Sequence, residues 1–233
     1  DLLQYIDRDM TSTEGAFFSA EDADSEGVEG KFYVWTQEEV EQVLGRKTAS
    51  VAIPYYNITQ AGNFEGKNIF NITRGPETVA KEVGMQEADF KAELKIARDK
   101  LLTVRSQRIR PLLDDKILTS WNALMISAMA KTGRVLDDTD RIQKSARAME
   151  FLLSQLRTPE GKILRRYRDG EARYDGYLYD YTATATACLD LYEATYEPHY
   201  IQTAHELMQR VEDKFHGETG MFHETASDGE ELL

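Results

Sequence analysis

Residues Ile142-Gln-Lys-Ser-Ala-Arg-Ala-Met149-Glu-Phe-Leu-Leu-Ser-Gln-Leu156-Arg-Thr-Pro-Glu-Gly161-Lys-Ile-Leu-Arg-Arg-Tyr-Arg-Asp169-Gly170 carry a pattern that returns 59 residues later. The shift places Ile142-Gln143 on Ile201-Gln202, Met149 on Met208 and Leu156 on Phe215. It also places Gly161 on Gly220 and Asp169-Gly170 on Asp228-Gly229. A period of this size marks a repeated supersecondary unit, which cannot bury its apolar face alone and stacks on its neighbours. Within the unit, Ile142, Ala146, Met149, Leu152 and Leu153 stand at helical spacing. They predict an amphipathic helix to Arg157, with Asp138 or Asp140 as its cap. A short hairpin follows, with β-type residues on one arm and a tight Asp-Gly turn.

Upstream, a more apolar helix runs through Trp121, Leu124, Met125 and Met129 to Lys131, with Asp114 or Asp115 as cap and Gly133 as stop. Downstream, helices are expected over 180–195 and 198–215, again the more apolar one first. An apolar helix followed by an amphipathic one, twice over, predicts an inner and an outer layer. That is the pattern of an α/α toroid or solenoid, with a plain bundle as the other arrangement. Toward the N-terminus, Thr36-Gln-Glu-Glu39 reads as a capping box for a helix over 37–44 that stops at Gly45. Residues 86–108 carry apolar residues at mostly helical spacing. Gly15 to Ser25 is expected to form a hairpin and loop, with Lys31 to Trp35 as its return strand.

Composition narrows the function classes. The chain has 233 residues, a net charge of −13 and one cysteine, Cys188. No segment approaches 18 consecutive apolar residues, so no membrane span is expected, and the first residues do not read as a signal peptide. A single cysteine forms no internal disulfide and points to a reducing, cytoplasmic setting; Cys188 falls on an apolar helix face as a buried, inert thiol. The negative field argues against nucleic acid and anionic membranes. It is uneven: residues 1–45 hold twelve Asp/Glu against two Lys/Arg, while residues 91–116 hold eight Lys/Arg against four Asp/Glu. The basic run Arg105-Ser-Gln-Arg108-Ile-Arg110 reads as a solvated helix end, or a docking site for an acidic partner or for a domain not in this chain. Gly62-Asn-Phe-Glu-Gly66-Lys-Asn68 has the wrong spacing for a phosphate loop and is expected to be a turn. The four histidines, His199, His205, His216 and His223, lack zinc-ligand spacing. Neither metal nor cofactor is expected.

Phe18-Ser-Ala-Glu-Asp-Ala-Asp-Ser-Glu-Gly27 with Glu29-Gly-Lys-Phe-Tyr-Val-Trp35 resembles the signature of the thioredoxin-domain-containing family typified by spermatogenesis-associated protein 20. Asn63-Phe-Glu-Gly-Lys-Asn68, Leu113-Asp-Asp-Lys-Ile-Leu-Thr-Ser-Trp-Asn122 and Leu189-Asp-Leu-Tyr-Glu-Ala-Thr195 match the same family, and the resemblance covers essentially the whole chain. It implies a mainly α fold: a six-hairpin (α/α) toroid of the N-acylglucosamine 2-epimerase and glycosidase type, with short β-hairpins between helix pairs. It also implies a thioredoxin-like domain in the longer protein. No Cys-x-x-Cys occurs here, so that domain is expected to be absent. At about 59 residues per unit, residues 1–233 are expected to form one partial toroid domain of roughly four hairpins.

Two acidic clusters are the candidate chemistry. The Glu21-Asp-Ala-Asp24 loop lies between aromatic arms, and carboxylates beside aromatic faces suit sugar processing by general acid and base. A calcium site is a weaker reading of the same loop. Asp114-Asp115 stands at the start of an inner helix, where a toroid opens on its central cavity. Asp22, Asp24, Asp114 and Asp115 are therefore the catalytic candidates. Glu21, Trp35, Trp121, Asn122, Tyr179, Asp180 and Tyr181 are the candidate substrate contacts. A neutral sugar or similar small molecule is the expected ligand, handled by a glycosidase or epimerase reaction. The alternative is a non-catalytic module that partners the thioredoxin-like domain. Uncovered inner-helix faces predict exposed apolar edges and self-association.

Overall fold

The computed structural model describes residues 2–229. In it one short turn is built three times. Ser12 N donates to Ala16 O, Thr158 N to Lys162 O and Gly217 N to Met221 O, at 2.8, 2.8 and 2.7 Å. Phe18 N donates to Met10 O, Leu164 N to Leu156 O and His223 N to Phe215 O, at 2.9, 2.7 and 2.8 Å. Antiparallel bridges Thr11–Phe17, Arg157–Ile163 and His216–Phe222 occupy the same place in each copy. Gly15, Gly161 and Gly220 supply the positive φ that the turn needs. The second and third copies are 59 residues apart, as the sequence period requires.

Among the described residues there are eight helices: α1 (Leu2–Asp9), α2 (Gln37–Tyr55), α3 (Pro76–Glu82), α4 (Glu87–Arg105), α5 (Thr119–Leu136), α6 (Thr139–Gln155), α7 (Leu178–Thr195) and α8 (Pro198–Phe215). Each copy of the turn follows a helix: α1, α6 and α8. The protein is mainly α, with helical hairpins and short β-hairpins. None of these helices is long and apolar enough to cross a membrane.

The chain gathers into two compact units. Unit 1 comprises residues 2–20 with 113–229, and unit 2 is Glu21–Leu112. Unit 2 is thus an insertion of 92 residues. The first turn copy precedes the second by 146 residues, and removing the insertion leaves 54, close to the repeat length.

In unit 1, α5 packs on α6 and on α7, and α7 packs on α8. Ile126, Met129, Met149, Leu152, Leu191, Leu207 and Phe215 form its core. The more apolar first helix and the amphipathic second helix of each pair are as read from sequence. The hairpin Leu164–Arg168 with Glu171–Asp175 turns at Asp169-Gly170 and pairs with Ile117–Leu118 as a three-stranded sheet. Two boundaries differ from expectation. Asp114 and Asp115 do not cap α5, whose N-cap is Leu118. Gly133 does not stop α5; it lies inside the helix because α6 crosses there, where a Cβ would stand 2.7 Å from Ile142 Cγ1 and 3.0 Å from Asp138 O.

In unit 2, α2 packs on α4, with α3 against both, around Val40, Leu44, Val51, Val79, Phe90 and Leu94. Thr36 and Glu39 form the expected capping box. Gly45 breaks the helix at φ 72°, and a second helical stretch continues to Tyr55. Lys31 to Trp35 is not a strand. Arg108 Nη1 donates to the carbonyls of Phe32 and Val34 at 3.1 and 2.8 Å, so those groups are withdrawn from ladder pairing. The 62–68 segment is a tight turn, and a Cβ on Gly62 would meet Lys67 O at 2.2 Å.

Candidate functional site

The acidic candidates fall in both units. In unit 1, Asp114 belongs to a two-residue strand, and its carboxylate pairs with Lys116 at 3.1 Å. Burial alone would raise its pKa, but hydrogen bonds from Lys116 and Ser19 outweigh this and hold the carboxyl below its ordinary value. Asp115 pairs with Arg168 Nε at 2.7 Å. Asp114 is therefore held as an anion, which does not suit it to donate a proton, and Asp115 lies beside a cation.

Three other candidates in unit 1 are structural, which corrects their expected role as substrate contacts. Asn122 is 1% exposed; its side chain accepts from Phe17 N at 2.7 Å and donates to Phe17 O at 2.8 Å and Leu118 O at 3.0 Å. Fifty-nine residues on, the buried Tyr181 hydroxyl accepts from Ile163 N at 2.9 Å. Phe17 and Ile163 hold the same place in the repeated turn, so Asn122 and Tyr181 each tie one turn to an inner helix. Asp180 is 1% exposed and accepts from Ser120 N at 3.1 Å and Tyr177 N at 2.9 Å, with Arg165 at 3.6 Å. It is the third helical residue of the capping box that starts α7, whose N-cap is Tyr177. Trp121 and Tyr179 are exposed, in line with Leu124 and Leu189 on the open faces of α5 and α7.

In unit 2, Asp22 and Asp24 are exposed, and Asp22 accepts from the backbone of Asp24 at 3.1 Å in a local turn. Glu21 is more enclosed: Arg110 and the Tyr33 hydroxyl both donate to it. Through Tyr33 it touches a cavity of about 290 Å³. Tyr33, Trp35, Tyr56 and Phe70 form its aromatic wall, Ile69, Leu101 and Leu102 its aliphatic wall, and Arg98 and Arg105 its cationic side. Ligand pockets begin near 300 Å³, so this one suits a single ring rather than a chain of rings.

The aromatic wall is a ladder. The Arg108 guanidinium lies 3.9 Å from the Trp35 ring centre, Trp35 stacks on Phe70 at 6.3 Å, and Phe70 stacks on Tyr56 at 5.2 Å. Trp35 is only 3% exposed. It is a buried rung that shapes the wall, not the open stacking platform that its sequence context suggests. Burial pushes the Tyr56 phenol up, so it stays protonated as an O–H donor.

Sequence reasoning missed Tyr56, Phe70, Arg98 and Arg105. The basic run does end α4 and is largely exposed, but its arginines also cover aromatic rings. Arg105 lies over Phe32 and Tyr33 at 5.5 and 5.2 Å, and Arg110 lies over Phe32 at 5.2 Å. No local signal marked these contacts, because Phe32 and Tyr33 lie some seventy residues before the basic run. Among the described residues no group of three or more His, Cys, Asp or Glu side chains is placed to hold a metal ion. Cys188 is buried 3.8 Å from Met149 Sδ, and burial pushes its thiol up to about 12.

No protein-family model matches the chain. Spermatogenesis-associated protein 20 from Homo sapiens is 31% identical over 247 residues, which is 91% of this chain and 31% of that protein. The Rattus norvegicus protein of the same name is 30% identical over the same shares. An uncharacterised Caenorhabditis elegans protein is 28% identical over 253 residues, 95% of this chain and 34% of its own length. The chain thus spans about a third of the length of the curated relatives it matches. Among solved structures, cellobiose 2-epimerase from Bacillus thermoamylovorans superimposes with a TM-score of 0.44 at 11% identity, over 93% of this chain and 53% of that one.

Proposed function

We propose, for a chain homologous to a segment of spermatogenesis-associated protein 20, that unit 2 binds a single-ring, sugar-like ligand in its aromatic cavity, as part of a carbohydrate-processing-like helical protein. The wall of that cavity is the observation that supports this reading. Aromatic rings pack against the C–H surface of a sugar ring, while guanidinium and phenol groups hydrogen-bond its hydroxyls. Glu21 acts here through Tyr33, whose hydroxyl it holds at the cavity edge. Turnover by Asp22, Asp24, Asp114 and Asp115 has less support, since two are open to solvent and two are paired with cations.

The test is calorimetric titration of the chain with a monosaccharide panel, repeated on Leu102→Trp. Leu102 is 37% exposed on the cavity rim, so the larger ring fills the cavity with little effect on the fold. Affinity should fall at least tenfold, about 1.4 kcal/mol, with the urea midpoint unchanged. Binding that survives the substitution would place the ligand elsewhere.

A second reading, a non-catalytic docking module for the thioredoxin-like domain, is favoured by the open faces of α5 and α7. Trp121 is 54% exposed, Leu124 51%, Tyr179 52% and Leu189 45%. Apolar stripes of this size on a helix face mark interaction surfaces. Titrating the isolated thioredoxin-like domain of a relative against the chain checks it: binding should be lost in Trp121→Asp. Equal binding by that variant would dismiss the surface.

A further inference from the structure

We infer that the ligand of the unit 2 cavity is anionic: a sugar-like ring bearing a carboxylate or phosphate, held by Arg105 with Arg98 beside it. This rests on the reading of the cavity as the ligand site, and it replaces the neutral ligand expected from sequence.

Arg105 carries the argument. Its Nε is buried and makes no hydrogen bond. Its guanidinium makes no ion pair among the described residues and lies over the Phe32 and Tyr33 rings. Its neighbours are differently placed. Arg108 donates to the carbonyls of Phe32 and Val34, and Arg110 is bound to Glu21. A buried donor on a charged group without an acceptor is unfavourable, because the water it lost has not been replaced. A ring face returns only part of that loss. Arg105 therefore presents a cation without a counter-ion at the edge of a cavity.

The rest of the wall agrees. Arg98 and Arg105 stand seven residues apart on α4, two helical turns, so both reach the same face. No Asp or Glu lines the cavity, so its side chains carry two positive charges and no negative one. The segment that supplies them, residues 91–116, is the basic stretch of an otherwise acidic chain. A planar fork suits a carboxylate or phosphate, which accepts two parallel N–H donors. A neutral ring would leave the Arg105 cation without a counter-ion.

The test compares ligands that share a ring and differ in charge: glucose, glucuronate and glucose 6-phosphate, titrated into the wild-type chain by calorimetry. At least one of the two anions should bind ten times or more tightly than glucose. That advantage should shrink between 50 and 500 mM NaCl while glucose affinity holds. Arg105→Leu should abolish the advantage and Arg105→Lys should keep part of it. The salt series on the wild-type chain stands even where Arg105→Leu folds poorly. Equal affinity for all three sugars, lost together in Leu102→Trp, would overturn the anionic preference and leave the cavity as the site. No binding by any sugar, or binding indifferent to Leu102→Trp, would instead remove the site itself.

Discussion

Asn122 and Tyr181 sit 59 residues apart and do one task with different chemistry. One is an amide and the other a phenol, yet each accepts a backbone N–H from the same position of the repeated turn. Asn122→Ala leaves the buried N–H and carbonyl of Phe17 unpaired, at about 1–3 kcal/mol for each group. We expect a loss of about 2–4 kcal/mol in urea unfolding. Tyr181→Phe removes one acceptor and should lose about 1–2 kcal/mol. Asp22→Asn and Asp24→Asn, at exposed positions, should leave the midpoint unchanged within about 0.5 kcal/mol. Glu93 is one residue through which pH acts on unit 2. Hydrogen bonds from Lys47 and Thr48 hold its carboxyl below the ordinary value of 4.5. Its folded pKa lies below its unfolded one, so its contribution is present above about 4.5 and lost as pH falls through the lowered value. Urea midpoints between pH 7 and 3 should fall less steeply in that acidic window for Glu93→Gln than for the wild type.

At the scale of elements, two glycines separate local from tertiary causes. Gly45 has open space around its missing Cβ, but its φ of 72° and ψ of 164° lie where side chains rarely go. Gly45→Ala should therefore destabilise by about 1–3 kcal/mol through backbone strain. Gly133 has helical neighbours, and alanine would favour the helix by about 1 kcal/mol. Contact with Ile142 and the Asp138 carbonyl opposes that gain. We expect Gly133→Ala to be destabilising overall, with urea unfolding as the measure; a stabilised variant would mean that α6 gives way freely. The sequence marked both residues as helix stops. It was right at Gly45, where the reason is local, and wrong at Gly133, where the reason is another helix. The basic run adds a second tertiary case: what Arg105 covers is set by Phe32 and Tyr33, some seventy residues earlier.

At the scale of the whole chain, the insertion of Glu21–Leu112 into a repeat explains why the N-terminal third obscures the period. Unit 2 carries its own core and its own cavity. A domain with its own core folds alone. Residues 21–112 expressed by themselves should unfold cooperatively in urea and keep a near-ultraviolet signal from the Trp35 ladder. A featureless, non-sigmoidal melt would show that this unit depends on the rest of the chain.

The sequence by itself determined helices α5 to α8, their alternation of apolar and amphipathic faces, the Asp-Gly hairpin and the 59-residue period, but not α1. These follow from residue spacing and from turn and cap chemistry that acts over a few residues. Tertiary structure alone decided what the polar groups are for. It committed Asn122, Tyr181 and Asp180 to backbone partners, paired Asp114 and Asp115 with cations, and turned Arg105, Arg108 and Arg110 onto aromatic rings. A carboxylate or a guanidinium has the same local signature whether it meets a ligand, a counter-ion or a backbone amide. Only the segments folded against it select among them.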